Sequence, residues 1–338
     1  MIKEAIQILI AGKSLTMDEA SKVMEEIMNG EVSPAQFGAF VTALRIKGET
    51  VEEITGLAKV MRAKAIQVKT GGPVVDTCGT GGDGLFTFNI STTAAFIVAG
   101  AGLKVAKHGN RAMSSRSGSA DVLEALGVKL ELTAEQVERC LEEVGMGFMF
   151  APAFHPAMKY AAAPRREIGI RTVFNILGPL TNPAGAKAQV LGVADETLVE
   201  KLARVLQSLG CHHALVVHGE DGLDEITSTG ESWVCEVKDD LLTGYSIRPE
   251  SFGLSRASLV DLKGGTAAEN AIILRKILSG AAAGPQRDVV LLNAAAALFA
   301  GDKVASLADG IAVARQALDS RKALAKLEQL IKFTQSLT

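Results

Sequence analysis

Hydrophobic and polar positions change texture along the chain. The first 65 residues read as short helices with short connections. Thr16-Met-Asp-Glu19, Ser33-Pro-Ala-Gln36 and Thr50-Val-Glu-Glu53 each fit a capping box, in which side chain and backbone satisfy each other's free donors. Pro34 falls at a first helical position, where its missing N–H costs nothing. Gly30 and Gly48 are suitable stops. Near Gly71-Gly72-Pro73 the pattern turns to short apolar runs alternating with helices. Val74–Cys78, Val128–Leu132, Gly147–Ala151, Ala188–Val193 and His213–Val217 read as strands. Helices are expected from Thr133 to about Gly145 and from about Asp195 to Leu209. Trp233–Lys238 and Gly244–Arg248 suggest a hairpin or sheet edge. From Thr266 the chain is Ala-rich and helical.

Such alternation predicts an α/β fold with a mainly parallel central sheet. Residues 1–70 should form a small helical domain, and residues 71–338 a larger α/β domain. Residues 155–182 break the alternation with two further helices around Pro164 and before Gly178-Pro179. These are expected to complete the helical domain, leaving a cleft between domains as a natural ligand site.

At 338 residues with 48% hydrophobic and 22% charged residues, the chain has material for a large core and is not a disordered polymer. Its net charge of −3 argues against a surface built for nucleic acid. Cys78, Cys140, Cys211 and Cys235 lack metal-ligand or disulfide-framework spacing, so buried reduced thiols are expected. No secretory leader pattern or membrane span is evident, which suggests a cytoplasmic protein.

The chemistry concentrates after the first strand, in Asp76-Thr-Cys-Gly79-Thr-Gly81-Gly82-Asp83-Gly84. Glycines there let backbone N–H groups converge on an anion, and the helix expected from Ser91 adds partial positive charge. Gly79, Gly81 and Gly84 also fit G-x-G-x-x-G. A dinucleotide site needs an acid about 20 residues on for the ribose. Residues 84–120 contain no Asp or Glu, and instead carry Lys104, Lys107, Arg111 and Arg116. Thr87, Asn89, Ser91, Thr92, His108, Asn110, Ser114, Ser115, Ser117 and Ser119 add small donors. The segment suits phosphate or pyrophosphate, with a second helix start at Gly118-Ser119. Glu220-Asp221-Gly-Leu-Asp224-Glu225 follows a strand and suggests a hard-cation site; Mg²⁺ uses one or two carboxylates plus substrate phosphates. His212-His213 beside Cys211 lacks further ligands at metal-binding spacing, and no G-x-S-x-G elbow is present.

Gly79-Thr-Gly-Gly-Asp83, Asn89-Ile-Ser-Thr92, Lys107-His-Gly-Asn-Arg111 with Ala112-Met-Ser-Ser115, the run Gly118–Gly127, and Asp224-Glu225 together resemble the anthranilate phosphoribosyltransferases. The resemblance spans essentially the whole chain. It implies a nucleoside phosphorylase/phosphoribosyltransferase class II-like fold, and transfer of phosphoribose from phosphoribosyl pyrophosphate to anthranilate in tryptophan biosynthesis. By the same resemblance, Gly79, Gly82, Asp83, Thr87, Asn89, Ser91 and Thr92 bind phosphoribosyl pyrophosphate, and Lys107, Asn110, Arg111, Ser115 and Ser119 extend that site. Ser91, Asp224 and Glu225 would bind Mg²⁺. Arg165 would face the anthranilate carboxylate, bordered by Gly79 and Asn110, and His108 would help remove the amine proton. The resemblance further implies a homodimer through the helical domain and admits a complex with anthranilate synthase. A pyrimidine-nucleoside phosphorylase shares the architecture in outline, but the Lys107–Arg111 run and the acid pair favour the transferase. A nucleic-acid-binding relative should show a broad basic groove and degraded motifs, which this chain lacks.

Overall fold

The computed structural model describes residues 1–112 and 115–337. Helices α1 (Ile2–Ile10), α2 (Met17–Asn29), α3 (Pro34–Lys47) and α4 (Val51–Lys64) open the chain. The three expected capping boxes cap α2, α3 and α4, each with both reciprocal hydrogen bonds formed. Gly30 stops α2 in the left-handed conformation, which glycine adopts without penalty.

The sheet then builds through β1 (Val75–Gly79), α5 (Ile90–Gly100), β2 (Val105–Gly109), α6 (Ser119–Ala125), α7 (Ala134–Glu143) and β3 (Met146–Phe150). The chain leaves it through α8 (Ala151–Phe154), α9 (Lys159–Ile168) and α10 (Phe174–Leu177). It returns as β4 (Ala188–Gly192), α11 (Val199–Ser208), β5 (His213–Gly219), β6 (Ser232–Lys238) and β7 (Leu241–Ile247). Helices α12 (Ala267–Leu278), α13 (Pro285–Ala300), α14 (Leu307–Asp319) and α15 (Lys322–Ser336) finish the chain. The strand order is β3-β2-β1-β4-β5-β6-β7. The first five strands in that order are parallel, and β6 and β7 add an antiparallel edge. The fold is therefore the expected α/β class: a helical N-terminal bundle beside a mainly parallel sheet.

Successive strand residues point to opposite faces. Leu215 and Val217 of β5 join the core with α5, α13 and α15, whereas Ala214 and Val216 join the core with α11 and the N-terminal helices. Helix α5 is buried along almost its whole length, and Gly100 lets it approach the backbone at Ala323. Helix α9 packs on α2 and α3, and α10 on α4. Among the described residues no helix is long and apolar enough to cross a membrane. All four cysteines are free and buried.

Two elements differ from the sequence pattern. Val128–Leu132 is not a strand. Its apolar side chains are buried, but Val128 N–H bonds to Leu123 O and Lys129 N–H to Thr334 Oγ1, so no neighbouring strand pairs with it. Conversely, Val105–Gly109 is a strand that hydrophobicity does not predict, because Lys107 and His108 occupy buried positions in it.

Candidate active site

The direction of chain travel across the sheet reverses between β1 and β4, and crevices outside the carboxyl ends of strands at such points are ligand sites. Three features shape the crevice here. Gly79 and Gly192 end β1 and β4, and a Cβ at either would collide with Asp224. The chain after β5 can therefore fold over both strand ends, where Asp224 Oδ2 accepts from Gly81 N at 2.7 Å. Helix α5 begins beside it, with Ser91 N donating to Glu225 Oε1 at 3.1 Å. Finally, β1 and β2 pair only at Val75 and Val105, then diverge. The fully buried Asp76 fills that gap, accepting from Asn182 Nδ2 at 2.8 Å and His108 N at 3.4 Å.

Lys107 extends from β2 into the crevice and is 2% exposed. Its Nζ donates to Thr77 O and lies 3.4 Å from Thr77 Oγ1 and 3.5 Å from Ser91 Oγ. Among the described residues, no carboxylate lies within ion-pairing distance of it. Asp224 and Glu225 look onto the crevice but are closely surrounded by protein. Burial, with the Asp83 and Glu225 charges nearby, raises Asp224 well above the ordinary carboxyl range. Burial pushes Glu225 up to about 7, opposed by Lys107 and by hydrogen bonds from Ser91. Of the four acids in 220–225, these two face the site. Asp221 instead ties its own loop, accepting from Thr227 Oγ1 at 2.7 Å and Thr229 Oγ1 at 2.6 Å.

The other expected residues divide into groups. Gly82 has φ +79° and lies against the Arg171 guanidinium, whose Nη2 donates to Gly81 O at 2.8 Å. Asp83 Oδ1 accepts from Leu85 N at 3.1 Å. Thr87 makes an isolated antiparallel bridge to Lys263, and Thr92 is buried in the first turn of α5. Asn89 bonds to Ser117 and Asn270. Asn110 is exposed, and its backbone oxygen accepts from Ser119 Oγ at 3.4 Å. Ser115 Oγ lies 3.4 Å from Ser117 O. Met113 and Ser114 lie outside the described residues. Arg111 is turned outward, paired through both terminal nitrogens with Glu124 at 2.7 and 2.9 Å. The helix start at Gly118 is capped from within, because Asp121 Oδ2 takes the N–H groups of Gly118 and Ala112, each at 2.8 Å.

Arg165 projects from α9, half-buried. Its guanidinium stacks 5.3 Å from the Phe174 ring centre and reaches Phe174 O at 3.4 Å. Burial lowers its pKa, and no carboxylate pairs with it among the described residues. His108 and His155 sit with ring centres 5.0 Å apart, each with an unpartnered Nε2. Burial, reinforced by the neighbouring His155, holds His108 at about 3; burial holds His155 at about 4. Both rings are therefore neutral at neutral pH.

Local patterns do not reveal Asn182, Arg171 or Asn270. Asp76 did carry a signal: an acid in an otherwise apolar strand.

An oxygen-only set of Asp224, Glu225 and Ser91 suits a hard cation. Among the described residues no three His, Cys, Asp or Glu side chains form a ready-made metal cage. Mg²⁺ fits such a half-site when phosphate oxygens supply the rest.

Residues 3–65 match the helical bundle domain of the glycosyl transferase family, and residues 71–324 match its a/b domain. An anthranilate phosphoribosyltransferase of Dehalococcoides mccartyi is 60% identical over 339 aligned residues, covering 100% of this chain and 99% of that protein. The anthranilate phosphoribosyltransferase of Thermus thermophilus superposes with TM-score 0.93 at 47% identity, covering 98% of this chain and 99% of that one. That of Saccharomyces cerevisiae, solved in complex with PRPP and Mg, superposes with TM-score 0.91 at 28% identity, covering 99% and 98%. The chain belongs to the anthranilate phosphoribosyltransferase family.

Proposed function

We propose that this protein transfers the 5-phosphoribosyl group of phosphoribosyl pyrophosphate to the amine of anthranilate, giving N-(5-phosphoribosyl)anthranilate and pyrophosphate in tryptophan biosynthesis. The observation that carries this is the convergence of Lys107, Ser91, Glu225 and Asp224 beside the glycine loop at the carboxyl ends of β1 and β4.

In the reaction the amine nitrogen bonds to C1 of the ribose as the C1–O bond to pyrophosphate breaks. The bond electrons leave with pyrophosphate, and the amine gives up a proton. Positive charge develops on the sugar and negative charge on the leaving group. Lys107 and those N–H groups of the glycine loop and the start of α5 that Asp224 and Glu225 do not take are preorganised for that negative charge. Gly79, Gly82, Asp83, Thr87, Asn89, Ser91 and Thr92 hold the phosphoribosyl pyrophosphate, with Asn110, Arg111, Ser115 and Ser119 extending the site. For Arg111 this requires leaving Glu124 when ligand binds.

Asp224, Glu225 and Ser91 would hold Mg²⁺, which when bound neutralises pyrophosphate charge. Arg165 offers a planar fork to the anthranilate carboxylate. His108, read from sequence as the acceptor of the amine proton, is a weak base here, because its Nε2 is buried and burial holds the ring at about 3. An aromatic amine is a weak nucleophile, so orientation supplies much of the acceleration.

The domain division is part of the proposal: residues 1–70 with about 155–182 form the helical domain, and 71–338 the remainder. It is supported by the packing of α9 and α10 on α2–α4. Dimerisation through the helical domain is supported by Ile10 and Ile46, 64% and 82% exposed on α1 and α3. A cytoplasmic location follows from the biosynthetic role.

The test is loss of anthranilate fluorescence on mixing purified protein with phosphoribosyl pyrophosphate and Mg²⁺, with an EDTA control. Mg²⁺-dependent loss with matching pyrophosphate release is expected. Absence of loss from folded protein that binds phosphoribosyl pyrophosphate would move the acceptor to another nucleophile.

A further inference from the structure

Asn89 is held by a relay that begins far away in the chain. Asn270, on α12, is 2% exposed. Its Oδ1 accepts from Gly265 N at 2.8 Å, and its Nδ2 donates to Asn89 Oδ1 at 2.9 Å. Asn89 Nδ2 in turn donates to Ser117 O at 3.1 Å, while Ser117 Oγ donates to Asn89 Oδ1 at 3.3 Å. Both ends of the relay are backbone groups of fixed polarity: an N–H at Gly265 and a carbonyl at Ser117. The polarity of both amides between them is thereby determined.

The backbone around Asn270 is built for the same contact. Gly264 N donates to Phe86 O at 2.9 Å, and Phe88 N to Leu262 O at 3.1 Å. A Cβ on Gly264 would strike the Phe88 backbone and Asn270 Oδ1. Gly264 thus lets residues 262–265 lie directly against 86–88 and brings α12 up to Asn89.

This arrangement has a chemical consequence. The Asn89 oxygen accepts two hydrogen bonds, which fills its lone pairs. One of its two N–H groups is used by Ser117 O, and the other has no acceptor among the described residues. The capacity Asn89 has left among the described residues is one N–H donor.

We infer that Asn270 is a positioning residue for phosphoribosyl pyrophosphate: it fixes the Asn89 amide so that an N–H faces the ligand's phosphate or ribose oxygens. The inference rests on the reading of Asn89 as a ligand contact.

The test compares Asn270→Asp with Asn270→Ala at about pH 7.5 and about pH 9.5, because burial raises the introduced carboxyl and only its ionised form turns an acceptor toward Asn89. In the Asp variant the acceptor for Gly265 N survives, but an oxygen now faces Asn89 Oδ1. Asn89 must flip, and the ligand meets an oxygen. The KM for phosphoribosyl pyrophosphate should rise about 10-fold or more in Asn270→Asp and less in Asn270→Ala, with the anthranilate KM changed less than about two-fold. The melting temperature should fall in both variants, and further in Asn270→Asp once the carboxyl ionises, because an unpaired buried charge costs more than a small cavity. A purely structural role predicts that both KM values move together and that the Asp effect persists in an Asn89→Ala background. In an Asn89→Ala background, Asn270→Asp should add less than about two-fold, because the effect passes through Asn89. An Asn270→Asp variant with unchanged KM, beside an Asn89→Ala variant with raised KM, would overturn the relay and leave the Asn89 contact standing. An unchanged KM in Asn89→Ala would overturn the ligand assignment, and the inference with it.

Discussion

Strand β5 carries a cluster of ionisable side chains at each end, and the two clusters are opposites. At its start, His213 is fully buried with Nδ1 2.9 Å from Asp302 Oδ1 and Nε2 3.1 Å from Glu236 Oε1. Lys238 reaches Asp302 at 3.2 Å, Tyr245 donates to Glu236 Oε2 at 3.0 Å, and His212 lies 3.3 Å from both Asp239 and Asp302. The network is closed within the protein. Beyond its other end, Asp224 takes Gly81 N and meets the Asp83 carboxyl, Glu225 takes Ser91 N, and Lys107 nearby donates to neutral oxygens. A buried ionised group without a counter-charge is costly. The first cluster therefore serves the fold, and the second is the one that the proposed cation and phosphates would complete.

The strongest way to break this contrast is Asp224→Ala with Glu225→Ala. Turnover should fall about 10³-fold or more with loss of Mg²⁺ dependence, since the two carboxyl groups that would hold the cation on the leaving group disappear. The melting temperature should hold or rise, because two desolvated like charges are removed. Fluorescence turnover and thermal denaturation on the same sample check both halves. Wild-type turnover would make the open cluster structural too.

Next is Arg165→Ala. Loss of a charged hydrogen-bond donor facing a carboxylate should raise the anthranilate KM about 10- to 100-fold and alter kcat less. Steady-state kinetics in both substrates decide it; an unchanged anthranilate KM would place Arg165 elsewhere.

The histidine pair sharpens the comparison through pH. His108 at about 3 and His155 at about 4 lie below the unfolded value near 6.5, so the unfolded chain binds more protons between those limits. Stability is then fully present above about pH 6.5 and falls as the pH drops. Each ring should account for about 2 kcal/mol of loss between pH 6.5 and 5. Chemical denaturation across that range, repeated for His108→Gln with His155→Gln, should show a shallower acid slope in the variant. An identical slope would remove both groups as its source.

The smallest effect belongs to the closed cluster. Asp302 has φ +51°, which Asn tolerates, so Asp302→Asn changes charge with little strain. Stability should drop by about 1 kcal/mol after allowing for solvent screening, with both KM values within about two-fold of wild type. A large kinetic effect would mean that the two ends of β5 are coupled.

The elements most legible in sequence were those with local causes. The capping boxes at Thr16, Ser33 and Thr50 closed as their spacing implies, because side chain and backbone there are three residues apart. The glycine loop after β1 was legible for the same reason. Val128–Leu132 misled because alternating burial also arises where an extended segment lies across helices without a strand partner. Strand β2 was hidden by Lys107 and His108, whose burial no local rule favours. Sites are where local preference and final structure are expected to disagree.

The sequence by itself determined the classes of chemistry present: a glycine-rich anion loop, an acid-free basic run and an acidic turn, each within a few residues. Tertiary structure alone decided which members act together. It selected Asp224 and Glu225 over Glu220 and Asp221, turned Arg111 toward Glu124, and joined Asp76 to Asn182 and Asn89 to Asn270, across 106 and 181 positions. Backbone conformation is governed by near neighbours, so it can be read locally. A hydrogen bond between distant residues depends on strand register and on helices packing against the same sheet, and these exist only once the whole core has formed.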